Sequence, residues 1–330
     1  AAHLPGYEGP ILEARKFGQG QSNPTFLLVT PARNYVLRRK PPGRLLKSAH
    51  QVDREFRVQK ALWGTEVPVP EVYLLCEDES VTGAMFYVMA HVPGRNFDLP
   101  TMPGLEPAER GAIIDDMNRV LAALHEVDID AVGLADFGPP GNYYLRQISR
   151  WSKQYRASET EPIPAMDRLI DALGERLPPE DGQRTLVHGD YRIDNLIIAP
   201  DAPRVAAVLD WEISTIGHPF ADLAAVIMQW QMPAGPTGRG LAGVDRAELG
   251  LPSDEEFIAR YCERRGIGPI EDFGFYLAFC FFRMAAIVQG VYRRALDGNA
   301  SNPERARQMG AYVPLFAARG LEALGERVPG

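Results

Sequence analysis

The residues with the clearest chemical potential lie between Leu186 and Glu212. His188-Gly189-Asp190-Tyr191-Arg192-Ile193-Asp194-Asn195 follows the apolar pair Leu186-Val187, and a second apolar run, Val205–Leu209, ends on Asp210. A turn that carries Asp190 and closes at Asn195, beside a strand ending in Asp210, offers a carboxylate, an amide oxygen and a second carboxylate. Such hard oxygen donors suit magnesium. A cation held against phosphate oxygens, with a further carboxylate to orient or deprotonate a hydroxyl, is the equipment of phosphoryl transfer. An isolated His-x-Asp signals only a hydrogen-bonded turn. The full string, with its Asn after the Asp and its following strand ending in Asp, is far more restrictive.

The rest of the chain must position these groups. With 330 residues it exceeds the usual single-domain size, so two lobes are expected. An apolar content of 45% and a charged content of 24% describe an ordinary globular chain. The net charge of −8, from 35 basic and 43 acidic residues, argues against a nucleic-acid surface and favours tolerance of cationic small molecules. Cys76, Cys262 and Cys280 make no CxxC pair, so neither a disulfide framework nor a zinc site is indicated. The stretch Ala1–Tyr7 has no signal-peptide pattern, and a reducing cytoplasm is expected. Phe275–Tyr292 is apolar but carries Arg283 and Gln289 near its middle, which predicts a buried core helix and no membrane span.

The first ninety residues read as strands. Ile11–Phe17, Thr25–Thr30 and Asn34–Lys40 flank a Gly-rich turn, Gly18–Asn23, and Val72–Cys76 and Met85–Met89 follow. That turn either lays backbone N–H groups over phosphates or is a plain hairpin; it is no dinucleotide fingerprint, because a strand follows it. Ala49–Trp63 reads as an amphipathic helix with Ser48 as its cap and Glu55 within it. Arg38 is the candidate cation to pair with Glu55, although Lys40 shares its face of the strand. Glu66–Glu71 is a proline-stiffened connection, and beyond His91–Gly94 the chain turns helical. The predicted class is α+β: an antiparallel-sheet lobe with one helix over residues 1–92, and a larger helical lobe over 93–330. A nucleotide base is expected at the link, near Met89 and Val92.

Pro107–Val127, Asn142–Arg156, Ala165–Leu177, Asp254–Arg264, Phe273–Leu296 and Pro303–Leu324 read as helices, with another around Asp222–Trp230. His125 is expected as a packing or capping group. Tyr143, Tyr144, Trp151 and Tyr155 interleave with arginines and are expected to bury their rings and expose the guanidinium groups. Asp222 is either a hydrogen-bond acceptor for the catalytic turn or an ordinary acid at a helix start. Gly238-Arg239-Gly240-Leu241-Ala242-Gly243 matches GxGxxG in letters only; without a preceding strand it reads as a flexible loop.

Several of these segments together resemble the aminoglycoside phosphotransferase and choline-kinase branch of the kinase-like fold, closest to the subgroup that also occurs fused to acyl-CoA dehydrogenases. The residues that carry the likeness are Gly20-Gln21-Ser22-Asn23, Tyr35–Arg39, Asp53-Arg54-Glu55, Gly133-Leu134, Arg146-Gln147, His188–Asn195 and Leu209–Glu212. The Asp190-to-Asn195 spacing is that of a protein-kinase catalytic loop. The resemblance implies that Asp190 is the catalytic carboxylate, with His188 bracing the loop, and that Asn195 and Asp210 bind Mg2+. It implies that Gly20, Gln21, Ser22 and Asn23 cover the phosphates of ATP or GTP, with Arg38 and Glu55 in support. The implied activity is transfer of a γ-phosphoryl group to the hydroxyl of a small molecule, either a hydroxyacyl-CoA type of metabolite or an aminoglycoside. A non-catalytic nucleotide-binding module is the rival of another class.

Overall fold

The computed structural model describes residues 4–18, 23–41, 50–236, 238–300 and 302–329. Strands β1 (Glu13–Lys16), β2 (Thr25–Val29), β3 (Asn34–Arg39), β4 (Val72–Cys76) and β5 (Phe86–Ala90) form one antiparallel sheet in the order β1-β2-β3-β5-β4. Period-two alternation gives the sheet two apolar faces. Leu27, Val36, Tyr87 and Met89 pack with Val52 on one face, and Leu28, Tyr35, Phe86 and Val88 cluster on the other. Arg38, two residues after Val36, therefore belongs to the face covered by helix α1 (Val52–Leu62).

Helix α1 starts three residues later than the periodicity suggested. Gln51 precedes it without a side-chain cap, and the expected cap, Ser48, lies outside the described residues. Its buried face, Val52, Glu55, Val58, Gln59 and Leu62, places one carboxylate among apolar groups. After β5 the chain is strapped to the body: Arg95 and Ile198 exchange backbone hydrogen bonds of 2.7 and 2.8 Å.

The body contains α2 (Pro107–His125), α3 (Tyr143–Ser158), α4 (Pro164–Glu175), α5 (Phe220–Trp230), α6 (Asp254–Arg265), α7 (Phe273–Leu296), α8 (Pro303–Met309) and α9 (Tyr312–Ala323). Two small antiparallel pairs stand among them: β6 (Thr185–Val187) with β9 (Thr215–Gly217), and β7 (Leu196–Ile198) with β8 (Val205–Val208). Tyr143, Tyr144 and Tyr155 of α3 are buried and Arg150 and Arg156 exposed, so the helix uses its rings for packing. Helix α7 is long and apolar enough to cross a membrane, with a mean hydropathy of 1.5, but 72% of that window is buried against other helices. Its central polar groups are engaged too: Gln289 donates to Ser158 O at 2.8 Å.

The expected single helix Pro303–Leu324 is two helices. Pro314 has no N–H to give to the Gly310 carbonyl, so the ladder cannot run through. At the break Gly310 lies so close to Tyr292 that a Cβ would meet its ring at 2.7 Å.

Close approach also shapes the link. A Cβ on Gly94 would lie 2.5 Å from the Ile198 carbonyl oxygen, a backbone atom already held by the strap. Gly94→Ala is expected to destabilise the chain by about 1–3 kcal/mol. Gly174→Ala, in α4 with nothing within 4 Å of the new Cβ, is expected to be neutral or stabilising by up to about 1 kcal/mol. Urea unfolding of both variants checks the contrast.

Candidate active site

Asp210 ends the β7–β8 hairpin in a left-handed conformation, φ 67° and ψ 58°. That geometry, which Asp tolerates better than most residues, turns the chain out of the strand at the floor of a cleft. The cleft has a volume of about 1630 Å³ and lies between the sheet and the helical body. Arg38, Glu55, Met89, Val92, Asp190, Asn195 and Asp210 all line it.

Arg38 is the hinge of the charge arrangement. Its guanidinium pairs with Glu55 at 2.8 Å and with Asp210 at 2.5 Å. Lys40 instead faces Asp53 at 3.7 Å, so Arg38 is the partner of the helix carboxylate. Glu55 also accepts from Asn23 Nδ2 at 2.7 Å and from the Tyr87 hydroxyl at 3.3 Å. Burial pushes the Glu55 carboxyl up to about 7, against the pull of Arg38. Burial works to lower the Arg38 pKa, but Glu55, Tyr87 and Asp210 together hold it above its usual range.

Asn23, expected with Gly20, Gln21 and Ser22 to cover the phosphates, has its side chain committed to another group. It is 1% exposed and turned onto Glu55, because a buried carboxylate requires donors. Gly20, Gln21 and Ser22 lie outside the described residues.

The Asp190 turn is held from behind. Asp222, at the start of α5, accepts the backbone N–H groups of His188 at 2.6 Å and Gly189 at 2.7 Å. Gly189 adopts φ +86°, a left-handed turn with little room for a side chain beside Ile213. His188 is fully buried: its Nδ1 accepts from Asp190 N at 3.2 Å, which leaves Nε2–H to donate to Leu209 O at 2.9 Å. With both nitrogens engaged and Trp211 packed on its ring, His188 ties the Asp190 turn to the residue before Asp210 and is a positioning residue. Asn195 Nδ2 donates to Asp190 O at 2.8 Å and to Oδ2 at 3.1 Å, so the atom it can offer a cation is its amide oxygen. Carboxylate oxygens of Glu55, Asp210 and Glu212 approach within 4.8 Å of one another. Of these, Asp210 lines the cleft with Asn195, while Glu55 is committed to Arg38.

Behind Asp222 runs a buried relay. His125 Nε2 faces Asp222 at 3.4 Å and its Nδ1 meets the Tyr261 hydroxyl at 2.6 Å; that hydroxyl accepts from Arg265 at 2.8 Å. Burial lowers the His125 pKa despite Asp222, so the neutral ring donates through Nε2 and accepts the tyrosine proton at Nδ1. Burial works to raise Asp222, but His125, His188 and the Gly189 amide keep it below the usual carboxylate range.

Sequence reasoning missed three contributors. Arg283 donates to Gly189 O at 3.1 Å, and Asn96 to Asp194 O at 2.8 Å. Arg239, in the glycine-rich segment read as a flexible loop, pairs with Asp194 at 3.1 Å. That loop is tied down by backbone bonds such as Leu241 N to Trp230 O at 2.8 Å, and its glycines admit close backbone contacts. Only Arg283 had a visible signal, a lone cation inside an apolar helix.

With this geometry in place, comparison with known proteins gives the class. The phosphotransferase enzyme family profile matches residues 13–279. The chain belongs to the phosphotransferase enzyme family. Acyl-CoA dehydrogenase family member 10 of Mus musculus is 50% identical over 310 residues, 94% of this chain and 29% of the mouse protein. Acyl-CoA dehydrogenase family member 11 of Homo sapiens is 46% identical over 326 residues, 97% of this chain and 41% of the human one. The chain thus spans well under half the length of these relatives. A solved "putative aminoglycoside phosphotransferase" from Ralstonia eutropha JMP134 matches with a TM-score of 0.89 and 49% identity, over 98% of this chain and 95% of that one. An aminoglycoside phosphotransferase variant in ternary complex with AMP-PNP and hygromycin B matches at a TM-score of 0.63 and 16% identity, over 97% of this chain and 96% of its own. The fold is the kinase-like fold.

Two outcomes follow for stability. Arg38→Ala leaves Glu55 buried without its cation and is expected to cost about 3 kcal/mol, part of which Glu55→Gln in the same chain restores; urea titration of the single and double variants measures both. His125 and His218 are both lowered by burial from an ordinary 6.5, against the opposing pull of Asp222 and Asp181 respectively. As pH falls below about 6.5 the unfolded chain takes up these protons first, so stability present above that pH is lost on acidification. Glu55, raised to about 7, works in the opposite sense over the same window, so the histidine contribution is read as a difference: the unfolding free energy at pH 7.5 minus that at pH 5.5 should be smaller in His125→Gln than in the parent chain.

Proposed function

We propose that the chain is a small-molecule kinase that moves the γ-phosphoryl group of ATP or GTP to a hydroxyl, with Mg2+ as cofactor. The observation that carries the reading is the convergence of Asp190, Asn195 and Asp210 on one cleft that is also lined by the link residues Met89 and Val92. Residues 1–92 act as the nucleotide-covering lobe and residues 93–330 carry the catalytic loop and the acceptor wall. The AMP-PNP complex of a structural neighbour supports ATP as donor.

The donor set fits magnesium: the Asp210 carboxylate and the Asn195 amide oxygen are hard ligands, and Asn195 has its N–H groups already turned to Asp190. When bound, the ion supplies charge neutralisation for the phosphates. The protein's own part is alignment. Asp190 orients the acceptor hydroxyl and takes its proton as that oxygen bonds to the γ-phosphorus and the bond to the β,γ-bridging oxygen breaks, releasing the nucleoside diphosphate. Asp222 and His188 hold the Asp190 turn so that this alignment costs little at the moment of reaction. Arg38 contacts the phosphates, giving up part of its hold on Asp210 while Glu55 retains it.

The names of the curated relatives point to acyl thioester metabolism and support a hydroxyacyl-CoA type of acceptor. Acceptor, nucleotide preference and catalytic competence are all read by one assay, ADP or GDP release over a panel of hydroxyl compounds. Asp190→Asn should lower turnover by ~10²–10⁴-fold with nucleotide affinity retained. Asp210→Ala should remove the magnesium dependence of nucleotide binding measured by calorimetry. Normal turnover in both variants would overturn the site assignment, whereas nucleotide binding with no ADP or GDP release on any acceptor would leave a non-catalytic nucleotide-binding module as the reading.

A further inference from the structure

On the phosphotransferase reading the nucleotide lies in the cleft against the link residues Met89 and Val92, with its phosphates toward Asp210. The same cleft is also walled by the last turns of α7 and by α8, through Val291, Arg294, Arg305 and Met309. An acceptor whose hydroxyl reaches Asp190 must place the rest of its body along that wall. Most cations lining the cleft are already neutralised within the protein. Arg38 pairs with Glu55 and Asp210, Arg95 with Glu109, Arg192 with Asp194, and Arg239 with Asp194 and Asp98. Arg294 and Arg305 differ: among the described residues no carboxylate pairs with either. The nearby acid Asp297 is taken by Arg293 at 3.2 Å. In a chain of net charge −8, two unopposed guanidinium groups on one wall of the reaction cleft form a local field of the opposite sign.

We propose that Arg294 and Arg305 form an anion-recognition subsite for the acceptor, which therefore carries a carboxylate or phosphate group in addition to its reactive hydroxyl. The proposal rests on the phosphotransferase reading of the cleft and narrows it. Guanidinium groups bind either anion through charge-assisted hydrogen bonds. Val291 and Met309 supply apolar surface beside them for the stem that joins anion to hydroxyl. A polycationic aminoglycoside would meet these arginines with like charge, so the subsite selects against it.

The test uses the full chain with Mg·ATP and matched acceptor sets: hydroxy acids, hydroxyalkyl phosphates, the neutral amides and diols of the same stems, and kanamycin. ADP release should favour one of the anionic sets over its neutral counterpart by at least about tenfold, and which set is favoured separates carboxylate from phosphate. Arg294→Gln/Arg305→Gln should raise KM for the favoured set by about 10- to 100-fold with a smaller change in kcat, and Arg294→Lys/Arg305→Lys should recover part of the loss. Mg·ADP affinity by calorimetry should be the same in all variants, which shows that the fold and the nucleotide site are intact. Preference for neutral or polycationic acceptors, or equal KM values in the glutamine variant, would overturn the proposal. Calorimetric binding of glycerol 3-phosphate and glycerate to the Mg·ADP-loaded chain gives a readout that needs no turnover, and binding unaltered in the glutamine variant would overturn it as well. A chain that binds no Mg·ADP at all sinks the phosphotransferase reading instead and takes the subsite with it.

Discussion

Arg38 joins three parts of the chain that have no other reason to agree. It stands on β3, pairs with Glu55 on α1, and reaches Asp210 at the end of the β7–β8 hairpin in the helical body. A guanidinium suits this task because its planar fork can hold two carboxylates at once, where an ammonium is a single point of charge. Glu55 is costly to bury, and the protein meets the cost with Arg38, Asn23 and Tyr87 together. Sheet, helix and the Asp210 carboxylate are thereby placed in a single frame.

The opposite wall of the cleft is built with backbone rather than with charge pairs. The Asp190 turn hangs from Asp222 through two N–H groups, and His188 stitches it to Leu209. Arg283 adds a third hold at the Gly189 carbonyl. In the proposed role Asp190 must keep its own side chain available and cannot also anchor its loop. Anchoring therefore falls to neighbours whose side chains are buried and fully bonded. The relay from Asp222 through His125 and Tyr261 to Arg265 extends that support to α2 and α6.

Charge is unevenly distributed around the cleft. Among the described residues the cleft arginines Arg38, Arg95, Arg192 and Arg239 are each paired with an acid, whereas no carboxylate pairs with Arg294 of α7 or Arg305 of α8. A phosphotransferase can thus keep one catalytic frame and change acceptor by altering the last turns of α7 and α8, away from the Arg283 contact that the frame uses.

Much of the framework was legible in order of residues alone. Period-two and helical patterns placed β4 and α7 at their observed limits, and the residue types of His188–Asn195 and Asp210 announced their chemistry. Such features are local: a strand's faces and a turn's glycine are decided by neighbours a few positions away. Tertiary packing decided what distance along the chain conceals. It chose Arg38 over Lys40, because only one of two cations on the same strand face lies over Glu55. It turned Asn23 inward to serve a buried carboxylate and drew the Arg239 loop onto Asp194. Each of these depends on which groups lose their water when remote segments meet, and desolvation is a property of the folded volume rather than of the order of residues.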